Sequence, residues 1–120
     1  LFHWRGRSDA RPVVLMAHYD VVPVAGQDWS SDPFRLTDRD GRLYARGSAD
    51  MKGFIACCLE TVPELVAANL RTPVHLALSY NEESSMSGMR RLAAHLASAP
   101  VKPAACIIGE PTLMQVVVAN

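Results

Sequence analysis

No sign of charge dominates this sequence. Its 12 lysines and arginines are matched by 12 aspartates and glutamates, for a formal net charge of zero. That balance leaves no electrostatic footprint for nucleic acid or an anionic membrane. Long apolar runs are missing too, and none approaches the roughly 20 residues that span a bilayer. Cysteine is scarce, with Cys57 and Cys58 side by side and Cys106 apart. An odd count with adjacent members is a poor disulfide framework. Their mostly apolar neighbours predict reduced core thiols in a cytoplasmic protein. Repeats, low-complexity tracts and linkers are absent, so the 120 residues amount to at most one domain. The opening "LFHWRGRSDARP" has neither an initiator Met nor the apolar block of a signal peptide, so the chain is expected to begin inside a domain.

What is present is a regular alternation of element types. About half the residues are hydrophobic (49%), enough to fill a core. "LFHWR" reads as a strand, and "VVLMA" (Val13 to Ala17) as a buried one because it is continuous, apolar and β-branched. "FRLTDRDGRLYARG" reads as a hairpin with Asp40-Gly41 at its turn and Phe34, Leu36, Leu43 and Ala45 alternating along its arms. From Met51 to Leu70 the spacing becomes helical. Phe54, Ile55, Cys58, Leu59, Val62, Leu65 and Val66 share one broad face, and Pro63 predicts a kink or break. "PVHLALSY" is a further strand. "SGMRRLAAHLAS" is an amphipathic helix with Met89, Leu92, Ala93 and Leu96 inward and Arg90, Arg91 and His95 outward. "AACIIG" reads as another buried strand and "MQVVVAN" as a last one. Strands alternating with helices predict an α/β fold with a mixed, mostly parallel sheet flanked by helices.

In such sheets ligands sit beyond the carboxyl ends of the strands. Polar residues gather there in this sequence. "VVLMA" runs into His18 and Asp20, "PVHLALSY" into Asn81, Glu82 and Glu83, and "AACIIG" into Glu110, while Asp50 opens the long helix. Taken singly, each has an ordinary explanation as a helix cap or a solvated side chain. Taken together they put one imidazole and several carboxylates on one rim. Crowded carboxylates repel, and burying them is costly unless a cation compensates. Nitrogen and oxygen donors without thiolate suit Zn²⁺, Mn²⁺ or Co²⁺.

The segments "MAHYDVVP", "LYARGSADMKG", "NEES" and "CIIGEPT", in that order and spacing, resemble the dinuclear zinc aminoacylase and carboxypeptidase family. That family includes acetylornithine deacetylases, succinyl-diaminopimelate desuccinylases and aminoacylases. The resemblance covers nearly the whole chain, and its wording is most similar to the acetylornithine deacetylases. It implies a zinc-peptidase-like catalytic domain holding two divalent ions, zinc with cobalt or manganese as alternatives. By position, His18 resembles the ligand of one ion, which Glu110 completes. Asp50 resembles the bridging carboxylate, Glu83 the ligand of the second ion, and Glu82 the general base. Asp20 resembles the carboxylate behind His18, where a period of two sets both side chains on one side and lets Asp20 accept from the free ring nitrogen. The peptide after Asp50 is a candidate cis bond.

The implied reaction is hydrolysis of a small N-acyl amino acid, first N-acetyl-L-ornithine to ornithine and acetate. Succinyl-diaminopimelate or another N-acyl amino acid is the alternative substrate, and a non-catalytic binding module on the same scaffold the alternative of another class. An intact Glu82 argues against the last. The family also implies a cytoplasmic homodimer, a second His ligand and an inserted lid domain. Neither the His nor the lid follows Glu110, and His3, His75 and His95 are poor substitutes. Residues 1–120 are therefore expected to be the N-terminal part of the catalytic domain, inactive alone. Two departures from the pattern are Asn81 in place of Asp and Ser85 in place of Gly.

Overall fold

A computed structural model describes residues 1–115. The strands are β1 (Phe2–Trp4), β2 (Val13–His18), β3 (Thr37–Arg39), β4 (Arg42–Tyr44), β5 (Val74–Ser79) and β6 (Ala105–Ile108); the helices are α1 (Gly53–Glu60), α2 (Val62–Ala67) and α3 (Ser87–Ser98). Four strands form a sheet in the order β1-β5-β2-β6. β2 runs parallel to β5 on one side and to β6 on the other, and β1 is antiparallel to β5. The fold is therefore α/β, with a mixed and mostly parallel sheet flanked by helices. Parallel neighbours need crossovers: α1 and α2 lie in the connection from β2 to β5, and α3 in the one from β5 to β6. Among the described residues no helix is long and apolar enough to cross a membrane.

The central strands carry the core. Val14 and Ala17 of β2, Leu76 and Ala77 of β5, Met51 and Cys58 are buried. Parallel strands flanked on both sides leave no solvated face, which is why β2 reads as an unbroken apolar run. β6 departs from expectation. All four of its residues are exposed, because among the described residues it lies at the sheet edge with only β2 beside it. Cys106 is exposed with it, as is Cys57, so of the three free thiols only Cys58 is in the core. The strand expected over 114–120 falls mostly outside the described residues; Met114 and Gln115 are not in a strand.

Local chemistry explains the remaining elements. Arg39 pairs with Arg42, leaving a two-residue turn at Asp40 and Gly41, both with positive φ (54° and 71°). Those angles match the right-handed twist of a hairpin. The hairpin is shorter than its sequence suggests, and its apolar side chains are not inward: Phe34 is 75% exposed, Leu36 and Leu43 59%. The long helix begins at Gly53 rather than Met51. Ser48–Lys52 is an irregular turn in which Asp50 (φ −118°, ψ 101°) and Met51 are non-helical, and the Asp50–Met51 peptide is cis. Gly47 enters that turn at φ 83°, and a side chain there would reach Val21 Cγ1 at 2.8 Å. The helix breaks between Glu60 and Val62, with Pro63 in the first turn of α2, where its missing N–H costs nothing. Leu59 and Val66, expected on the inner face, are exposed. On α3, Met89, Leu92 and Leu96 are partly covered and Arg90, Arg91 and His95 lie toward the outside, but Ala93 is exposed as well.

Candidate metal centre

Parallel pairing brings the strand ends together. His18 is opposite Ser79 on β5, and Met16 opposite Ile108 on β6, so all three chains leave the sheet on one side. The β2–β5 ladder continues one step further, since the Tyr19 N–H donates to the Ser79 carbonyl. Beyond β5 the chain turns at Asn81, with φ 55°. Asn is among the few side chains that tolerate this region. Its carbonyl accepts from the Met86 N–H and its side-chain amide donates to Ser87, closing the turn that presents Glu82 and Glu83. This is how Asn serves where the family pattern has Asp.

His18 is the hub. Its side chain is 2% exposed. Nε2 is 3.0 Å from Asp50 Oδ1, 3.6 Å from Glu110 Oε1 and 3.9 Å from Glu82 Oε2. Two sets of donor atoms each lie within 4.8 Å of one another: His18, Asp50 and Glu110, and His18, Glu82 and Glu83. Six side chains singled out from sequence are thus gathered here, because Asp20 also participates. Its Oδ2 accepts from the Glu83 N–H at 3.1 Å. His3, His75 and His95 belong to neither set.

Asp20 does not do quite what periodicity predicts. His18 Nδ1 meets the backbone carbonyl of Asp20 at 3.0 Å, while the carboxylate Oδ1 stands off at 3.6 Å, buried and without a hydrogen-bond partner. The chain bends straight after the strand, so alternation no longer governs side-chain direction. The carbonyl still fixes the ring: Nδ1 carries the proton and Nε2 faces the carboxylates. Sequence reasoning missed Met51, whose sulfur accepts from the His18 N–H at 3.3 Å. No pattern signals that contact, because it depends on the turn through Asp50.

The electrostatics fit a missing positive charge. Burial and the neighbouring Asp50 and Glu82 carboxylates push Glu83 above the usual carboxylate range, against a smaller opposing pull from His18. Burial and Asp50 raise Glu110 likewise. Burial disfavours a charged His18, but the Asp20 carbonyl together with Glu110, Asp50 and Glu82 outweighs it and raises the imidazole pKa. The raised carboxyl and imidazole pKa values and the unpartnered Asp20 oxygen all reflect negative charge crowded at this rim. Oxygen donors with one nitrogen and no thiolate fit zinc, manganese or cobalt.

Known proteins resemble this chain in sequence and in fold. A sequence model of peptidase family M20/M25/M40 matches residues 14–119. An acetylornithine deacetylase of Shigella sonnei (strain Ss046) is 42% identical over 108 residues, covering 90% of this chain and 27% of that protein. One from Proteus mirabilis (strain HI4320) is 40% identical over 103 residues, 86% of this chain and 26% of that protein. The chain thus spans about a quarter of the length of these curated relatives. A crystal structure of human carnosine dipeptidase 1 matches with a TM-score of 0.74 and 24% identity, over 88% of this chain and 24% of that one. That likeness shows the fold.

Proposed function

The chain belongs to peptidase family M20/M25/M40, and from that premise we propose that it is the metal-binding part of a longer catalytic domain in an amide hydrolase. The whole protein removes the acyl group of a small N-acyl amino acid, N-acetyl-L-ornithine first. The observation that carries the reading is the pair of donor sets sharing His18. Identity of 42% to an acetylornithine deacetylase supports the substrate. The reading extends to a cytoplasmic homodimer working in arginine biosynthesis.

Two divalent ions, zinc by preference, fit these donors. His18, Asp50 and Glu110 would hold one, and Glu83 the other; the family resemblance gives Asp50 to both, while the donor set around Glu83 contains His18 and Glu82. When bound they supply Lewis acidity to the amide carbonyl and acidity to a water. The chain's own groups do the rest. Glu82, partly exposed at the rim, takes a proton from the attacking water and returns it to the leaving amine nitrogen. Asp20 anchors the Glu83 N–H and, through its carbonyl, the His18 tautomer. A carboxylate and a free amine leave.

The test is metal analysis and product assay on the full-length protein. The expected result is about two zinc ions per chain, with release of acetate and ornithine. Faster cleavage of a succinyl substrate would overturn the substrate, and a full-length protein without metal would overturn the hydrolase in favour of a binding module.

A further inference from the structure

Behind the carboxylate rim lies a cavity of about 220 Å³ between the strand ends and α3. Four of the chain's five methionines (Met16, Met51, Met86 and Met89) line it together with Ile108. Its polar wall contains His18, Glu82 and Glu110, the groups that converge on His18 Nε2. The space is several times the roughly 30 Å³ that one water occupies in the liquid. It is deep at fully buried Met51 and reaches the surface at Met86 and Ile108, which are 45% and 51% exposed.

Resting on the hydrolase reading above, we infer that this methionine-lined chamber receives the acyl chain of the substrate and sets its length. An amide whose carbonyl carbon lies near the Glu82 carboxylate has two substituents, the amine and the acyl chain. An apolar chamber opening beside Glu82 offers the hydrocarbon non-polar surroundings at an otherwise charged rim. Away from its His18, Glu82 and Glu110 wall it offers no polar partner to a charged amino acid head except Ser79. Methionine walls are unbranched and adaptable, so they close around unbranched chains of differing length. Met89 forms the α3 side and Ile108 the β6 side.

Two substitutions in the full-length, zinc-loaded protein move the wall in opposite directions. With the amine held constant, Met89→Ala should raise the hexanoyl-to-acetyl ratio of kcat/KM, by about fourfold for each methylene newly accommodated. Ile108→Phe should lower it. Ratios unchanged in both variants, with acetyl cleavage continuing, would overturn the assignment. An activity-free measurement separates this idea from the hydrolase reading. In protein labelled with ¹³C at the methionine methyls, butanoate should shift the Met86 and Met89 signals and leave that of fully solvated Met114 in place. Absence of those shifts overturns the chamber whatever the kinetics. Shifts without hydrolysis of any N-acyl substrate keep the chamber as an acyl site and overturn the enzyme.

Discussion

Two histidines on neighbouring parallel strands have opposite surroundings. His18 ends β2 among the carboxylates of Asp50, Glu82 and Glu110. His75 sits near the start of β5, with His3 edge-on at 4.2 Å and its own Nδ1 buried without a partner. Burial penalises a charged ring at both places. At His18 the carboxylates and a carbonyl overcome it and the pKa rises; at His75 the second imidazole adds to it and the pKa falls. One sheet thus has a carboxylate-rich end that attracts cations and an end where burial and a second imidazole disfavour a charged ring. The difference lies in the groups each ring meets across space, since both strands are mostly apolar.

The largest expected effect probes the cation-attracting end. Glu82→Gln removes the proton carrier while keeping its shape. Turnover of the full-length protein should fall by about 10²–10⁴-fold, with zinc content unchanged by elemental analysis. Gly109→Ala comes next. A side chain there would meet the Phe54 ring at 2.0 Å, pushing α1 away from the strand end that delivers Glu110. Overpacking of this kind costs about 1–3 kcal/mol, measurable by urea unfolding, and should weaken zinc binding in a competition titration. Loss of stability without loss of affinity would show that the rim does not depend on this packing.

The smallest effect tests the contrast itself. In metal-free protein, NMR titration should place His18 above the ordinary 6.5 and His75 below it. By linkage, the His18 contribution to stability is complete below 6.5 and fades as pH rises through its folded pKa. The His75 contribution has the other sign, present above 6.5 and fading as pH falls through its folded pKa. His75→Gln should therefore flatten the acid side of the stability curve, read as Tm against pH. Zinc should abolish the His18 titration and leave that of His75 alone. If zinc moved both, the two ends would not be independent.

Sequence reading found the rim because each of its groups comes shortly after an apolar strand or, for Asp50, just before the long helix, and parallel order then dictates that strand ends meet. It also found the Asp40-Gly41 turn and the break before α2, where one residue type decides the backbone. It misjudged burial. "AACIIG", Leu43 and Leu59 are as apolar as core residues, yet exposed, because exposure depends on neighbours that a local pattern does not contain. The radius of gyration, 16.4 Å, exceeds the roughly 14 Å of a compact chain of this length. The Asp20 carbonyl and the Met51 sulfur were hidden for a related reason: both contacts arise in bends, where periodicity ends.

The position of β6 has a practical consequence. Among the described residues its outer flank is unpaired, and it offers backbone donors and acceptors and the side chains of Ile107 and Ile108 to an extended peptide. A preparation of these residues alone is expected to associate copy to copy along that seam as concentration rises, which light scattering would detect. A lysine replacing Ile107 is the remedy this predicts.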